Sequence, residues 1–325
     1  MNKSIIIGNG INIQFDDKKS YTSSAIMERV VKNVQSGKYQ ELFGNVISPD
    51  ELIQVLEALC PVVDNVVAGK YSSETLESGG LLALIGEYQN MKENYENSVP
   101  NSFKTIQLED YFFAMELLNL SLGKKVGDAE EHVEILRKNA FLGLKYMIVD
   151  GIFNDGQINE LYKSFPDNLH QFFEGFQNIF TINYDLNLDN FLPDYEIVHL
   201  HGAFNQIDQN APEKKCVQLE HVYCNAVMSW SWLDKYGSYL DDTLKKDKTR
   251  LSTIDGEVSI LGVNPTNDEQ IFLMLALNPT VKSVVYYYKE RTGINSASVS
   301  ARLKKQIPNK TINVRSVDKL WNKYR

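Results

Sequence analysis

The sequence predicts an α/β protein in which a parallel β-sheet receives a large helical insertion after its first strand. Several short apolar runs end in a small or polar cluster, which is typical of buried parallel strands whose carboxyl ends carry a ligand site. After residue 178 these runs alternate with helical or loop material, the βαβ pattern of a parallel sheet. Between residues 48 and 176 the pattern is almost entirely helical.

The elements follow in chain order. A β-branched strand at residues 4–7 runs into a glycine turn, and a helix is expected at 20–35 because its apolar residues share one face. The next helix begins with Ser48 as its cap and Pro49 in the first helical position. Further helices are expected at 74–96, 107–121, 128–150, 157–175 and 269–277. Further strands are expected at 178–182, 196–200, 257–263, 281–288 and 311–315, in one sheet with the first.

Composition is that of an ordinary globular protein, with 43% hydrophobic and 23% charged residues among 325. No apolar run approaches the roughly 20 residues that cross a bilayer, and no signal peptide precedes the first strand, so we expect a cytoplasmic protein without membrane attachment. The chain has three cysteines and no C-x-x-C pair. Because the spacing of Cys216, His221 and Cys224 fits no standard zinc site, we expect no metal.

The net charge of −9 is unevenly distributed along the chain. Residues 289–325 hold ten Lys or Arg and two Asp or Glu, a balance of +8, which leaves −17 on the remainder. The acidic body argues against direct nucleic-acid binding. The basic tail has two interpretations, contact with nucleic acid or, as we favour, a solvated face or a segment docked on the acidic body of the same or a neighbouring subunit.

The first candidate motif is Gly8-Asn9-Gly10, which lies between a strand and a helix. Glycines let the backbone turn tightly and approach a pyrophosphate, whose charge the following helix favours. The same pattern also serves as a purely structural turn. The third glycine of the dinucleotide fingerprint is absent, since Gln14 and Phe15 stand where it would fall.

Asn183 and Asp185 end the second strand, where they either close it with an Asx turn or present an amide and a carboxylate to a ribose or a water. His201, followed by Gly202, is the better candidate for a neutral imidazole that takes a proton in a crevice. His199 we expect to be structural.

The strand at 257–263 ends in Gly262 and Asn264. Here Gly262 would leave room for phosphate and Asn264 would bond a ribose. The alternative is a plain loop before the helix at 269–277, with Asp268 as its N-cap.

The order of these motifs resembles the sirtuin superfamily, specifically the bacterial SIR2-like domains used in antiphage defence. Gly8-Asn9-Gly10 corresponds to the first sirtuin turn, residues 181–185 to the Thr-Gln-Asn-Ile-Asp motif, His201-Gly202 to the catalytic His-Gly, and residues 261–264 loosely to the Gly-Thr-Ser strand end. The first motif also resembles the AbiH-like abortive-infection family. The paired C-x-x-C zinc ligands of classical sirtuins are absent, which favours plain NAD cleavage over deacylation.

The resemblance implies a Rossmann-like NAD-binding domain formed by residues 1–19 and 176–325, with 20–175 as a helical insertion. It implies hydrolysis of NAD+ as substrate, without a metal, by an NAD-depleting effector. The implied catalytic residues are Asn183, Asp185 and His201. The implied cofactor-binding residues are Gly8, Asn9, Gly10, Asn12, Thr181, Gly262 and Asn264.

Such an activity must be restrained in healthy cells, either by self-assembly or by a regulatory partner protein encoded nearby. Because SIR2-like effectors often form oligomers, the resemblance implies a homo-oligomer. Two alternatives come from other classes. The first is a sensor or scaffold that holds NAD or ADP-ribose without cleaving it. The second is a nuclease resembling AbiH, which needs a basic groove or a metal-binding carboxylate cluster, and the sequence offers no convincing example of either.

Overall fold

A computed structural model describes residues 2–16, 18–43, 47–71, 85–108, 110–111, 113–115, 117–118, 143–144, 146–203, 250–265, 268–290 and 295–324. The segment that contains Cys216, His221 and Cys224 lies outside these ranges, and so do parts of the helices expected at 74–96, 107–121 and 128–150.

The structure confirms the α/β class, since six parallel strands form one sheet, and the expected strands are all present. Their bounds are β1 Lys3–Ile7, β2 Asn178–Thr181, β3 Ile197–His199, β4 Gly256–Leu261, β5 Val281–Tyr288 and β6 Thr311–Ser316. The strands lie in the order β3-β2-β1-β4-β5-β6. This is the order of the doubly wound Rossmann fold, in which the chain changes direction across the sheet between β1 and β4.

Helices cover both faces of the sheet, which explains why its strands are apolar on both sides. Alternation sends Ile6 of β1 into the hydrophobic cluster on one face, while Ile5 and Ile7 enter the cluster on the other. All three isoleucines are fully buried. The carboxyl ends of the strands therefore form the edge of the sheet that remains available to a ligand.

The α-helices in chain order are α1 Gly10–Phe15, α2 Ser23–Gln35, α3 Pro49–Glu57, α4 Leu59–Val67, α5 Ile85–Tyr95, α6 His170–Phe173, α7 Asn187–Phe191, α8 Glu269–Leu277, α9 Ser296–Gln306 and α10 Val317–Trp321. Helices α8 and α9 pack on the face of the sheet to which Ile6 points. Helices α1, α7 and α10 pack on the opposite face of the sheet.

Between β1 and β2 the described residues form helices and turns, with a hydrophobic core of their own that runs from Tyr21 to Ile158. Helix α3 begins as its sequence predicts, because Ser48 and Glu51 bond reciprocally in a capping box and Pro49 stands in the first turn. The described residues within 108–118 and 143–153 are also helical.

The prediction of one helix over residues 157–175 is wrong, because most of this segment is not α-helical. The chain makes 3₁₀ turns at Gln157–Ser164 and Asp167–Leu169, and only α6 is α-helical. Pro166 explains the break, because proline lacks an N–H and forces the residue before it out of the helical region. Phe165 accordingly has an extended ψ of 136°.

Among the residues that the structure describes, no helix is both long and apolar enough to cross a bilayer.

Candidate functional site at the carboxyl edge of the sheet

The loops after β1 and β4 touch backbone to backbone at the point where the strand order reverses. A Cβ on Gly8 would lie 2.2 Å from the Gly262 carbonyl oxygen, and a Cβ on Gly10 would lie 2.8 Å from the Gly262 Cα. Gly262 itself has a φ of +70°, and the Gly8 N–H donates to the carbonyl of Leu261 at 2.8 Å. These glycines are therefore required for close packing of the two loops, whatever they bind.

Helix α1 carries Asn12 inward to meet Asp185, which follows β2. The Asn12 amide nitrogen donates to an Asp185 carboxylate oxygen at 2.6 Å and lies 3.2 Å from the Asn9 side-chain oxygen. Asn12 and Asp185 are both buried and stand 173 residues apart in sequence. The contact thus joins two of the motifs that the sequence singled out.

Asn187, the first residue of α7, completes this group, which we call the amide network (Asn12, Asp185 and Asn187). Its backbone N–H donates to the second Asp185 oxygen at 3.0 Å, and its amide donates to the Asn12 side-chain oxygen at 3.3 Å. The same amide donates to the Ile158 carbonyl at 2.8 Å. The amide network therefore fixes the relative positions of α1, the loop after β2 and the 3₁₀ turns at Gln157–Ser164.

Burial raises the pKa of Asp185 above its ordinary value, although the hydrogen bonds from Asn187 and Asn12 act in the opposite direction. Both carboxylate oxygens accept hydrogen bonds within the protein. The carboxyl group predicted to stabilise charge thus lies inside the amide network, two residues after Asn183.

Thr181 and Asn183 hold the end of β2 against β1. The Thr181 hydroxyl donates to the Ile7 carbonyl and accepts from the Asn183 N–H, each at 3.0 Å. Asn183 is only 6% exposed, and its side-chain nitrogen has no hydrogen-bond partner among the described residues. An unpaired buried donor costs on the order of 1–3 kcal/mol, so this amide nitrogen has an unused capacity to donate a hydrogen bond.

His199, at the end of β3, is bonded through both ring nitrogens. Its Nδ1 lies 2.9 Å from the Asn183 carbonyl oxygen and its Nε2 lies 3.0 Å from an Asp189 carboxylate oxygen. Burial alone would lower the pKa of His199, but the hydrogen bond and charge of Asp189 outweigh it, so that the pKa is raised. His199 therefore holds the turn that carries Asn183, which agrees with the structural role expected for it.

His201 lies on the turn after β3, is half-buried, and reaches across the edge of the sheet to α8. Its Nε2 is 3.2 Å from the amide nitrogen of Gln270. If the amide donates, the ring proton stands on Nδ1, so Gln270 orients the imidazole. Gly202 follows with a φ of +80°, a conformation that favours glycine.

The remaining predicted residues lie around the same edge. Asn9 and Asn264 are exposed on the loops after β1 and β4. Asp268 stands at the N-cap position of α8 as expected but makes no side-chain capping bond there.

Three residues of the site were not predicted from the sequence: Asn187, Asp189 and Gln270. Gln270 carried a usable signal, because it and Glu269 are the only polar residues of α8, whose other seven residues are apolar. Asn187 and Asp189 carried none beyond their nearness in sequence to Asp185. Asn187 bonds Asn12 across 175 residues, and Asp189 bonds His199 in the next strand, ten residues further on.

No protein-family model matches this chain, and no curated protein sequence matches it at a significant level.

Proposed function

We propose that the protein hydrolyses NAD+ to nicotinamide and ADP-ribose and acts as an NAD-depleting effector in antiphage defence. The motif order that resembles SIR2-like domains suggests the reaction. The site geometry is compatible with it, because the motifs after β1, β2, β3 and β4 are connected by direct contacts at one edge of the sheet. Open α/β sheets bind their ligands at this edge.

The observation that carries the proposal is the unpaired amide of Asn183. This side chain is buried beside the amide network, and its nitrogen has no partner in the part of the chain that is described. A ribose hydroxyl of NAD+ or the attacking water would accept this hydrogen bond and remove the penalty of a buried unpaired donor. His199 would keep the amide in place, since it bonds the backbone of the same residue.

The other residues would act around this amide. The pyrophosphate would lie over the turn at Gly8 and Gly10, which packs directly against Gly262, with Asn264 on the adjoining loop. Cleavage of the bond between the nicotinamide nitrogen and the ribose leaves positive charge on the sugar, which the carboxylate of Asp185 would stabilise electrostatically. His201 would take a proton at Nε2 from the water that attacks the ribose carbon. Because Nε2 is the ring nitrogen that faces the Gln270 amide, the water would displace that amide from the imidazole.

The activity would be restrained until infection by self-assembly or by a partner protein encoded nearby. This part of the proposal follows from the chemistry, because unregulated loss of NAD+ would harm the cell that makes the protein.

The test is to incubate the purified chain with NAD+ and to quantify nicotinamide by chromatography, alone and together with the proteins encoded beside it. The active combination should release nicotinamide, and His201→Ala or Asn183→Ala should slow release at least about 100-fold. The exposed residues His170 and Asn168 offer matched controls, and their alanine variants should retain the rate.

Absence of release in every combination, or an unchanged rate in His201→Ala, would remove the hydrolase proposal. Saturable binding with NAD+ or ADP-ribose recovered intact would instead identify a sensor or scaffold. Cutting of plasmid DNA or RNA in the presence of Mg²⁺ would identify a nuclease.

A further inference from the structure

A separate cavity of about 490 Å³ opens at the carboxyl ends of β5 and β6, beside α10. Its volume is within the range of roughly 300–1,000 Å³ that is usual for small-molecule sites. The lining residues that matter here are Tyr287, Arg315, Ser316, Lys319, Leu320 and Lys323. The cavity therefore combines cations, a hydroxyl, an aromatic ring and an apolar side chain.

The charge of this cavity is opposite to that of the protein as a whole. Three cations line it, Arg315, Lys319 and Lys323, against the single carboxylate of Glu290, a balance of +2 in a chain of net charge −9. Within the described ranges none of the three cations forms an ion pair, whereas Lys38 is paired with Asp150 at 2.8 Å. Glu290 accepts a hydrogen bond from the Tyr288 hydroxyl at 3.1 Å.

The position of the cavity also favours a ligand. It lies on the same edge of the sheet as the candidate site, two and three strands away from β1. With strands about 4.8 Å apart, its centre is on the order of 10–15 Å from the glycine turn. A ligand of mononucleotide size would fill it without touching Asn183, and an extended dinucleotide would reach it from the turn.

We infer that this cavity binds the phosphate monoester of a nucleotide. The planar guanidinium of Arg315 pairs with two phosphate oxygens at once, and Lys319 and Lys323 add compact positive charge. The half-buried ring of Tyr287 and the side chain of Leu320 supply flat and apolar surface for a base. A concave site of this size suits a small phosphorylated molecule better than a nucleic-acid strand, which needs an extended groove.

Two molecules would carry such a phosphate. One is a free mononucleotide. The other is NADP+, whose 2′-phosphate would lie in the cavity while the rest of the dinucleotide lies over the glycine turn, an assignment that depends on the proposed function.

Calorimetry on the full chain with adenosine, 5′-AMP and 2′-AMP tests the shared chemistry without any cleavage reaction. At least one monophosphate should bind about tenfold or more tightly than adenosine, which corresponds to about 1.4 kcal/mol. The double variant Arg315→Gln with Lys319→Gln should reduce that affinity to the level of adenosine, whereas Lys305→Gln, exposed on α9 outside the cavity, should not change it.

Equal affinity for adenosine and both monophosphates, no binding of any of them, or full affinity in the double variant would overturn the inference. A parallel titration with NAD+ and NADP+ shows whether the phosphate bound in the cavity belongs to a mononucleotide or to NADP+. Tighter binding of NADP+ that the double variant abolishes assigns the phosphate to the dinucleotide. Equal affinity for the two dinucleotides, alongside tight mononucleotide binding, assigns it to a separate ligand.

Discussion

The carboxyl ends of the strands carry polar groups at both ends of the sheet edge, but these groups are arranged in opposite ways. Near β1 and β2 the polar groups are buried and bonded to one another in the amide network, with the Asn183 side-chain nitrogen as the one unpaired donor found there among the described residues. Near β5 and β6 the exposed cations Arg315, Lys319 and Lys323 surround an open cavity and have no ion pair within the described part of the chain. The first end (the organised end) is fixed by its own hydrogen bonds, whereas at the second (the open end) the charge is exposed to solvent and the inferred phosphate would balance it.

The largest effect on stability should come from the glycine contact that underlies the organised end. In Gly8→Ala the new Cβ would meet the Gly262 carbonyl at 2.2 Å, and because both groups are backbone neither can move aside cheaply. We expect a loss of about 3 kcal/mol or more of unfolding free energy in urea titrations. Gly175→Ala is the matched control, since nothing lies within 4 Å of its added Cβ. Equal stability of the two variants would show that the loops are not in contact.

The second effect concerns the amide network. In Asp185→Asn the new amide nitrogen would face either the Asn187 backbone N–H or the Asn12 amide nitrogen, and in both cases two donors meet with no acceptor between them. Rotating the Asn12 amide does not help, because its nitrogen would then face that of Asn187. We expect a loss of about 1–3 kcal/mol in the same titrations. Asp194→Asn, an exposed carboxylate nearby, should change stability by less than about 0.5 kcal/mol.

The third effect is a pH dependence that His199 gives to the organised end. Because the pKa of His199 is raised in the folded protein, its contact with Asp189 contributes fully below the unfolded pKa of about 6.5 and is lost as pH rises through the folded pKa. His199→Gln should therefore lose more stability relative to wild type at pH 5.5 than well above the folded pKa. The exposed His170→Gln is the control, and a pH-independent loss in His199→Gln would contradict the charged contact.

Much of the fold could be predicted from the chain because its signals are local. The apolar runs of the six strands and the Ser48 capping box depend on neighbouring residues, and both match the structure. The 3₁₀ form of residues 157–164 could not be predicted from periodicity, since apolar spacing there resembles that of an α-helix until Pro166 interrupts it.

From the sequence, the candidate site could be predicted only as glycines and polar residues at the carboxyl ends of the strands. Topology brings the carboxyl ends of parallel strands to one edge, so the meeting of Asn12 with Asp185 follows from strand order. Strand order does not predict which further residues hydrogen-bond to these side chains. Asn187 and Gln270 reach their partners across 175 and 69 residues of sequence, and such contacts depend on how helices settle on the sheet.

The smallest effect should be found at the open end. Lys323→Gln removes one of three neighbouring cations that have no ion pair in the described part of the chain, so no attraction is lost and some repulsion is relieved. We expect the unfolding free energy to stay within about 0.5 kcal/mol of wild type, as for Lys305→Gln on α9. A loss comparable to that of Asp185→Asn would mean that Lys323 has a structural partner. The two ends of the sheet edge would then be alike, and the positive charge would be explained without a ligand.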